Sequence, residues 1–153
     1  LPIFLRFMLY ETGSDVIAID DELKIIADYI ALEKLRYDDS LIVTLNATIE
    51  NSKQPLPPLL LIPLVENAFK HGVSETRNKP FIDINLSVKH QQLLIIVKNS
   101  IEETFTTQEV KENIGLSNLR RQLALLYKDY DLTVRRENAV FISTLRINLT
   151  SYV

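Results

Sequence analysis

Residues 81 to 99 read FIDINLSV, KHQQ and LLIIVKN in turn. Ile82, Ile84, Leu86 and Val88 alternate with polar residues, the period of a strand with one buried face. The polar KHQQ turns the chain back into a second apolar run, so the stretch predicts a β-hairpin. A second hairpin is predicted at about Leu132–Arg135 and Val140–Leu149, and SLIVTLNATIE predicts a strand from Leu41 to Ile49. Helical spacing fills the gaps. DDELKIIADYIALEKLRY has Asp20 as an N-cap candidate and puts Leu23, Ile26, Ile30 and Tyr37 on one face, widened by Ile25, Tyr29 and Leu32. A helix within residues 58–72 aligns Leu61, Leu64, Val65 and Ala68, with Pro63 either at its first position or at a kink, and Gly72 as its stop. IGLSNLRRQLALLYKDY repeats Leu116, Leu119, Leu123 and Leu126. Five strands with helices interleaved predict a two-layer sandwich with much antiparallel pairing. No glycine-rich turn follows a strand, so a P-loop or dinucleotide fold has no support.

The chain has 153 residues, enough for one domain and a short extra element. A net charge of −3 and a pI of about 5.4 argue against a nucleic-acid surface, which needs a clustered basic face. There is no cysteine, hence no disulfide or thiolate metal site, and two histidines make a structural zinc site improbable. No apolar run approaches the roughly 20 residues that span a bilayer. The opening LPIFLRFMLY is oily on nearly every side and is read as the cut end of a longer helix, or else as a packed or swapped N-terminal helix. Turn formers in ETGSDVIAI end it, while the polar, acidic stretch 100–113 has no clear period and is long enough to be a functional or disordered loop.

PLVENAFKHG, Pro63 to Gly72, sets polar groups into an apolar helix. On a helix Asn67, Lys70, His71 and Ser74 share one face, which is either solvated or a site. The chemistry suits a magnesium–nucleotide. An amide oxygen is a hard neutral donor for Mg²⁺, and a lysine one turn on is a point charge for phosphate. His71 either bonds phosphate or ribose or caps the helix end.

PLVENAFKHG resembles the N-box of histidine-kinase ATP-binding domains. With LRFMLYE, ELKIIADYIALEKLRY, PPLLLIPLVENAFKHG and GLSNLRRQLALLY in order, nearly the whole chain is similar to the LytS-like sensor kinases. The resemblance implies the Bergerat ATP-binding fold: an α+β two-layer sandwich with a mixed, mostly antiparallel sheet of about five strands covered by helices on one face. Residues 20–153 then form the ATP-binding domain, and residues 1–19 are a remnant of the upstream dimerisation helix and linker. By the same resemblance Asn67 ligates Mg²⁺ bridging the phosphates of ATP, and Lys70 contacts phosphate. Glu66 either orders a magnesium-bound water or is a surface carboxylate. Gly115 and Leu116 match the second glycine box, whose backbone and following helix face the phosphates. Asn118 caps that helix or touches phosphate, and residues 100–113 form the lid. Asn67 and Lys70 are expected to open into one cavity roofed by the segment before Gly115.

Two motifs depart from the pattern. The first glycine box reads NSIEE, so Asn99 stands where an aspartate accepts from the adenine 6-amino group, and neither hinge glycine is present. An asparagine still accepts through its carbonyl oxygen. In ENIGL, Asn113 replaces a glycine, and asparagine tolerates left-handed backbone. Gln122 stands where the family often has arginine. Pro63 occupies the position of the gyrase-type general base, which argues against rapid hydrolysis. Neither His71 nor His90 stands where the phosphoacceptor would. The resemblance thus implies the catalytic domain of a two-component sensor kinase on the cytoplasmic side of a bacterial inner membrane, reaching that membrane only through its missing N-terminal part. Its partners would be ATP or ADP, an upstream phosphoacceptor helix in a homodimer, and a response regulator. The altered glycine boxes keep open a degenerate domain that docks partners without nucleotide.

Overall fold

The computed structural model describes residues 15–73, 76, 78–102 and 113–153, and every structural statement concerns those. The elements are β1 (Ile17–Ala18), α1 (Ile19–Lys34), β2 (Ile42–Ile49), β3 (Pro55–Leu56), α2 (Ile62–Lys70), β4 (Phe81–Lys89), β5 (Gln92–Ser100), α3 (Ile114–Leu126), β6 (Tyr130–Glu137) and β7 (Val140–Asn148), then a 3₁₀ turn at Leu149–Ser151. The oily segment at residues 1–10, Ser74 and most of the 100–113 stretch lie outside the described residues.

One five-stranded sheet runs β2, β4, β5, β7, β6. Only β2 and β4 pair in parallel; the other neighbours are antiparallel. The parallel step follows from the connection, because β2 returns to the sheet through β3 and α2, whereas β4–β5 and β6–β7 are hairpins and the second of these sets β7 antiparallel beside β5. The first hairpin is tighter than KHQQ suggests. Lys89 pairs with Gln92, leaving His90 and Gln91 as the turn, at φ of 51° and 59°. Two successive positive φ values match the twist of the strands they join. The His90 N–H also donates to the Glu50 carboxylate at 2.7 Å, fastening the turn to the end of β2.

The alternation seen in the sequence sorts the two faces. Ile82, Ile84, Leu86 and Val88 of β4, Leu93, Ile95 and Val97 of β5, and Leu145 and Ile147 of β7 are buried in a single core. The helices complete that core with Ile26, Tyr29 and Ile30 of α1, Leu64, Val65, Ala68 and Phe69 of α2, and Leu116, Leu119 and Leu123 of α3. The opposite face is a polar ladder in which the Thr44 hydroxyl donates to Asp83 at 2.6 Å and Asn46 to Asn85 at 3.4 Å. This is the expected two-layer α+β sandwich, with a mixed, mostly antiparallel sheet. No described helix is long and apolar enough to cross a membrane.

The start of the domain differs from the sequence reading in detail. Asp20 is not the N-cap of α1; Ala18 is, and no side chain caps it. Ile17 and Ala18 are held instead by antiparallel pairing with Leu56 and Pro55, so strand pairing sets where the helix begins. Ile19 is fully buried, while Leu32, assigned to the apolar face, is 48% exposed.

Candidate functional site

The polar residues of interest gather around the C-terminal half of α2. Pro63 lies in the first turn, where its missing N–H has no helical carbonyl to meet, so the helix is not kinked there. The helix ends at Lys70 with His71 as C-cap, its N–H donating to the Asn67 carbonyl at 3.0 Å. Gly72 follows, but not as a left-handed stop. A Cβ on it would lie 2.1 Å from Asn99 Nδ2 and 2.5 Å from the Ala68 carbonyl oxygen. The glycine is there because β5 presses an amide against the end of α2.

That amide belongs to Asn99, 2% exposed. Its Nδ2 donates to the Ser100 carbonyl at 3.1 Å, while Oδ1 is buried without a partner. A buried acceptor left unmet costs about 1–3 kcal/mol, so the Asn99 oxygen would gain from an incoming donor. Ser143 Oγ is also buried and unmet, two residues along β7 from Phe141, the residue opposite Asn99.

Asn67 is 6% exposed, and its Oδ1 accepts from Asn113 Nδ2. Asn113 is the N-cap of α3: its own Oδ1 accepts from the Leu116 N–H at 3.0 Å. Its backbone is extended, at φ −82° and ψ 175°. A left-handed turn is therefore not needed there; the asparagine acts as a cap. Leu116 follows in the first turn of that helix. Its side chain is in the core, 1% exposed, and its N–H is already taken. The amides of Ile114 and Gly115, like that of Leu116, have no helical carbonyl behind them.

Lys70 Nζ stands 3.3 Å from the Glu66 carboxylate, one turn back on the same helix. Glu66 is thus a largely buried carboxylate engaged by Lys70. Its side chain is 14% exposed and close enough to α1 that its charge, after burial and Glu33, raises the Tyr29 hydroxyl's pKa. His71 and Asn118 are exposed. The structure thus joins Asn67 to Asn113 with Gly115 beside it, pairs Lys70 with Glu66 on one helix, sets Asn99 beside Gly72, and leaves His71 and Asn118 exposed. Among the described residues no group of three or more His, Cys, Asp or Glu side chains is placed to hold a metal.

Sequence reasoning missed Glu22. It is fully buried, and burial pushes its carboxyl up to about 7 against the lowering effect of three backbone amides at the start of α2. The signal was present. Ile19, Glu22, Ile26, Tyr29 and Ile30 follow helical spacing, so an acid occupies a core position.

No family model matches the chain. Over 141 residues it is 31% identical to the sensor histidine kinase YpdA of Escherichia coli, an alignment covering 87% of this chain and 25% of that one. The chain spans a quarter or less of the curated relatives it matches. In fold it is similar to the histidine kinase domain of the blue-light activated kinase of Erythrobacter litoralis, with a TM-score of 0.65, 17% identity, and coverage of 90% and 69% of the two chains. The nucleotide-free catalytic domain of histidine kinase ThkA superposes with a TM-score of 0.60 at 13% identity, covering 88% of this chain and 95% of that one. A further ThkA structure, in complex with the response regulator protein TrrA, gives 0.55 at 12% identity, covering 94% and 46%. The chain therefore belongs among the relatives of the sensor histidine kinases and has the fold of a histidine-kinase catalytic domain.

Proposed function

We propose that this is the ATP-binding catalytic domain of a LytS-like two-component sensor kinase. In that reading residues 20–153 carry ATP and residues 1–19 lead from an upstream helix that dimerises and holds the phosphoacceptor histidine. The γ-phosphoryl passes to that histidine, whose imidazole is itself the nucleophile and needs no general base; from there a response regulator receives it. The domain would lie on the cytoplasmic side of the membrane that holds the rest of the protein.

The observation that carries the reading is the unmet Asn99 Oδ1, a buried acceptor fixed by the Nδ2 bond to Ser100. It suits the 6-amino donor of adenine. Asn67 Oδ1 would supply a protein ligand to magnesium, the phosphates and waters completing the shell. A magnesium ion, when bound, offsets phosphate charge. Lys70 would exchange its Glu66 contact for a phosphate, and the amides of Ile114 and Gly115 would receive another phosphate oxygen. Pro63 offers no base to polarise water, which disfavours hydrolysis.

Thermal melting with and without Mg-ADP or Mg-ATP tests this. Ligand at about 100 times its dissociation constant should add roughly 2.7 kcal/mol. Asn67→Ala should abolish the magnesium-dependent part of the shift; if it binds Mg-ATP as the parent does, the metal assignment is wrong. One contact favours a second reading: Asn67 Oδ1 is already engaged by Asn113. A domain built to keep that bond would be a docking module without nucleotide, and no shift at millimolar nucleotide would decide for it.

A further inference from the structure

Helix α2 has no cap of its own. Its N-cap residue, Leu61, makes no side-chain bond and its first turn holds no acid, yet Leu61 and Ile62 are fully buried. Buried amides at a helix start need acceptors. They are met from α1. Glu22 Oε2 accepts from the Leu59 N–H at 2.9 Å and Oε1 from the Leu61 N–H at 3.3 Å, and the Ile62 amide bonds the same carboxylate. Leu59 stands at φ 63°, a left-handed backbone unfavourable for a bulky side chain and kept only where its surroundings hold it. The bond to Glu22 is one such hold.

We infer that Glu22 is a positioning residue for the metal and phosphate end of the site: by capping α2 from α1, it sets where the helix carrying Asn67 and Lys70 stands relative to the start of α3. This rests on the nucleotide reading above. Asn99 is fixed by the pairing of β5 at the centre of the sheet and meets α2 only past its C-terminal end, at Gly72. The two ends of the site should therefore respond differently to loss of the carboxylate. A carboxylate presents acceptors to all three amides; a glutamine in its place turns an NH₂ toward one of them, donor against donor.

The test compares Glu22→Gln with the parent by calorimetric titration of Mg-ADP and, separately, adenosine, well above neutral pH so that the parent's carboxyl is ionised, and at a temperature where melting shows both proteins fully folded. Mg-ADP affinity should fall about tenfold, as for other residues that orient a metal ligand, while adenosine affinity stays within about twofold of the parent. Glu22→Asp, which keeps the charge but withdraws it by one methylene, should give the same split and carries the measurement if Glu22→Gln does not fold. Unchanged Mg-ADP binding, or equal loss for both ligands, overturns the inference and leaves Glu22 a structural residue only. A parent that binds neither ligand overturns the nucleotide reading itself, and this inference with it.

Discussion

Gly72 shows how one missing methyl group joins two parts of the site. The Ala68 carbonyl, 2.5 Å from where a Cβ would stand, is backbone and cannot swing aside, and Asn99 Nδ2 is nearer still at 2.1 Å. Gly72→Ala should cost about 1–3 kcal/mol, the usual range for overpacking a tight interior. It should also push the Asn99 amide off the Ser100 carbonyl. Chemical denaturation reads the first effect and adenosine titration the second; a variant as stable as the parent would mean that strand and helix separate more easily than their contact suggests. A glycine at this place is legible in the sequence only as a helix stop. Its real reason, an amide from a strand 27 residues later, exists only once β5 has paired into the sheet.

At the scale of elements, α3 depends on Asn113 twice. The side-chain oxygen caps the helix through Leu116, and the side-chain nitrogen reaches Asn67 on α2. Asn113→Ala should lose both at a stability cost of about 1 kcal/mol, the typical worth of an N-cap. Asn113→Ser should recover most of that stability without the reach to Asn67. Urea midpoints of the three proteins check this; if Ser is no better than Ala, the cap is not the stabilising element. The spacing of Leu116, Leu119 and Leu123 predicted this helix and its buried face, and that face is observed. The cap was read instead as a tolerated left-handed turn, because a sequence shows that Asn replaces Gly but not which of the two properties of asparagine is used.

For the molecule as a whole, Glu22 ties acidity to stability. Its carboxyl is raised by burial from an ordinary value of 4.5 to about 7. The folded protein thus binds the proton more tightly than the unfolded chain. Its contribution is fully present below about pH 4.5 and is lost as pH rises through about 7, a change of about 3 kcal/mol. The exposed carboxylates of Asp38 and Asp129 are shifted the other way, held below their ordinary range by hydrogen bonds from Ser40 and from Arg146, and their contributions are lost only in stronger acid. Unfolding free energy should therefore decline between about pH 5 and 7 in the parent, and Glu22→Gln should flatten that slope. Equal slopes in the two proteins would show that Glu22 titrates as an ordinary carboxylate.

Local pattern was enough for the five strands of the main sheet, the three described helices and the class of sandwich, because periods of two and of 3.6 residues are written in neighbouring side chains; the short β1 and β3 carry no such period. The placing of Asn67 and Lys70 one turn apart on one helix was legible for the same reason. The parallel place of β2, the pressure of Asn99 on Gly72, the bond from Asn113 to Asn67 and the capping of α2 by Glu22 were decided by the tertiary structure alone. Each joins residues far apart in the chain, and burial is what gives each its force: an unmet amide, an acid out of water or a crowded methyl group matters only where neither solvent nor empty space can relieve it.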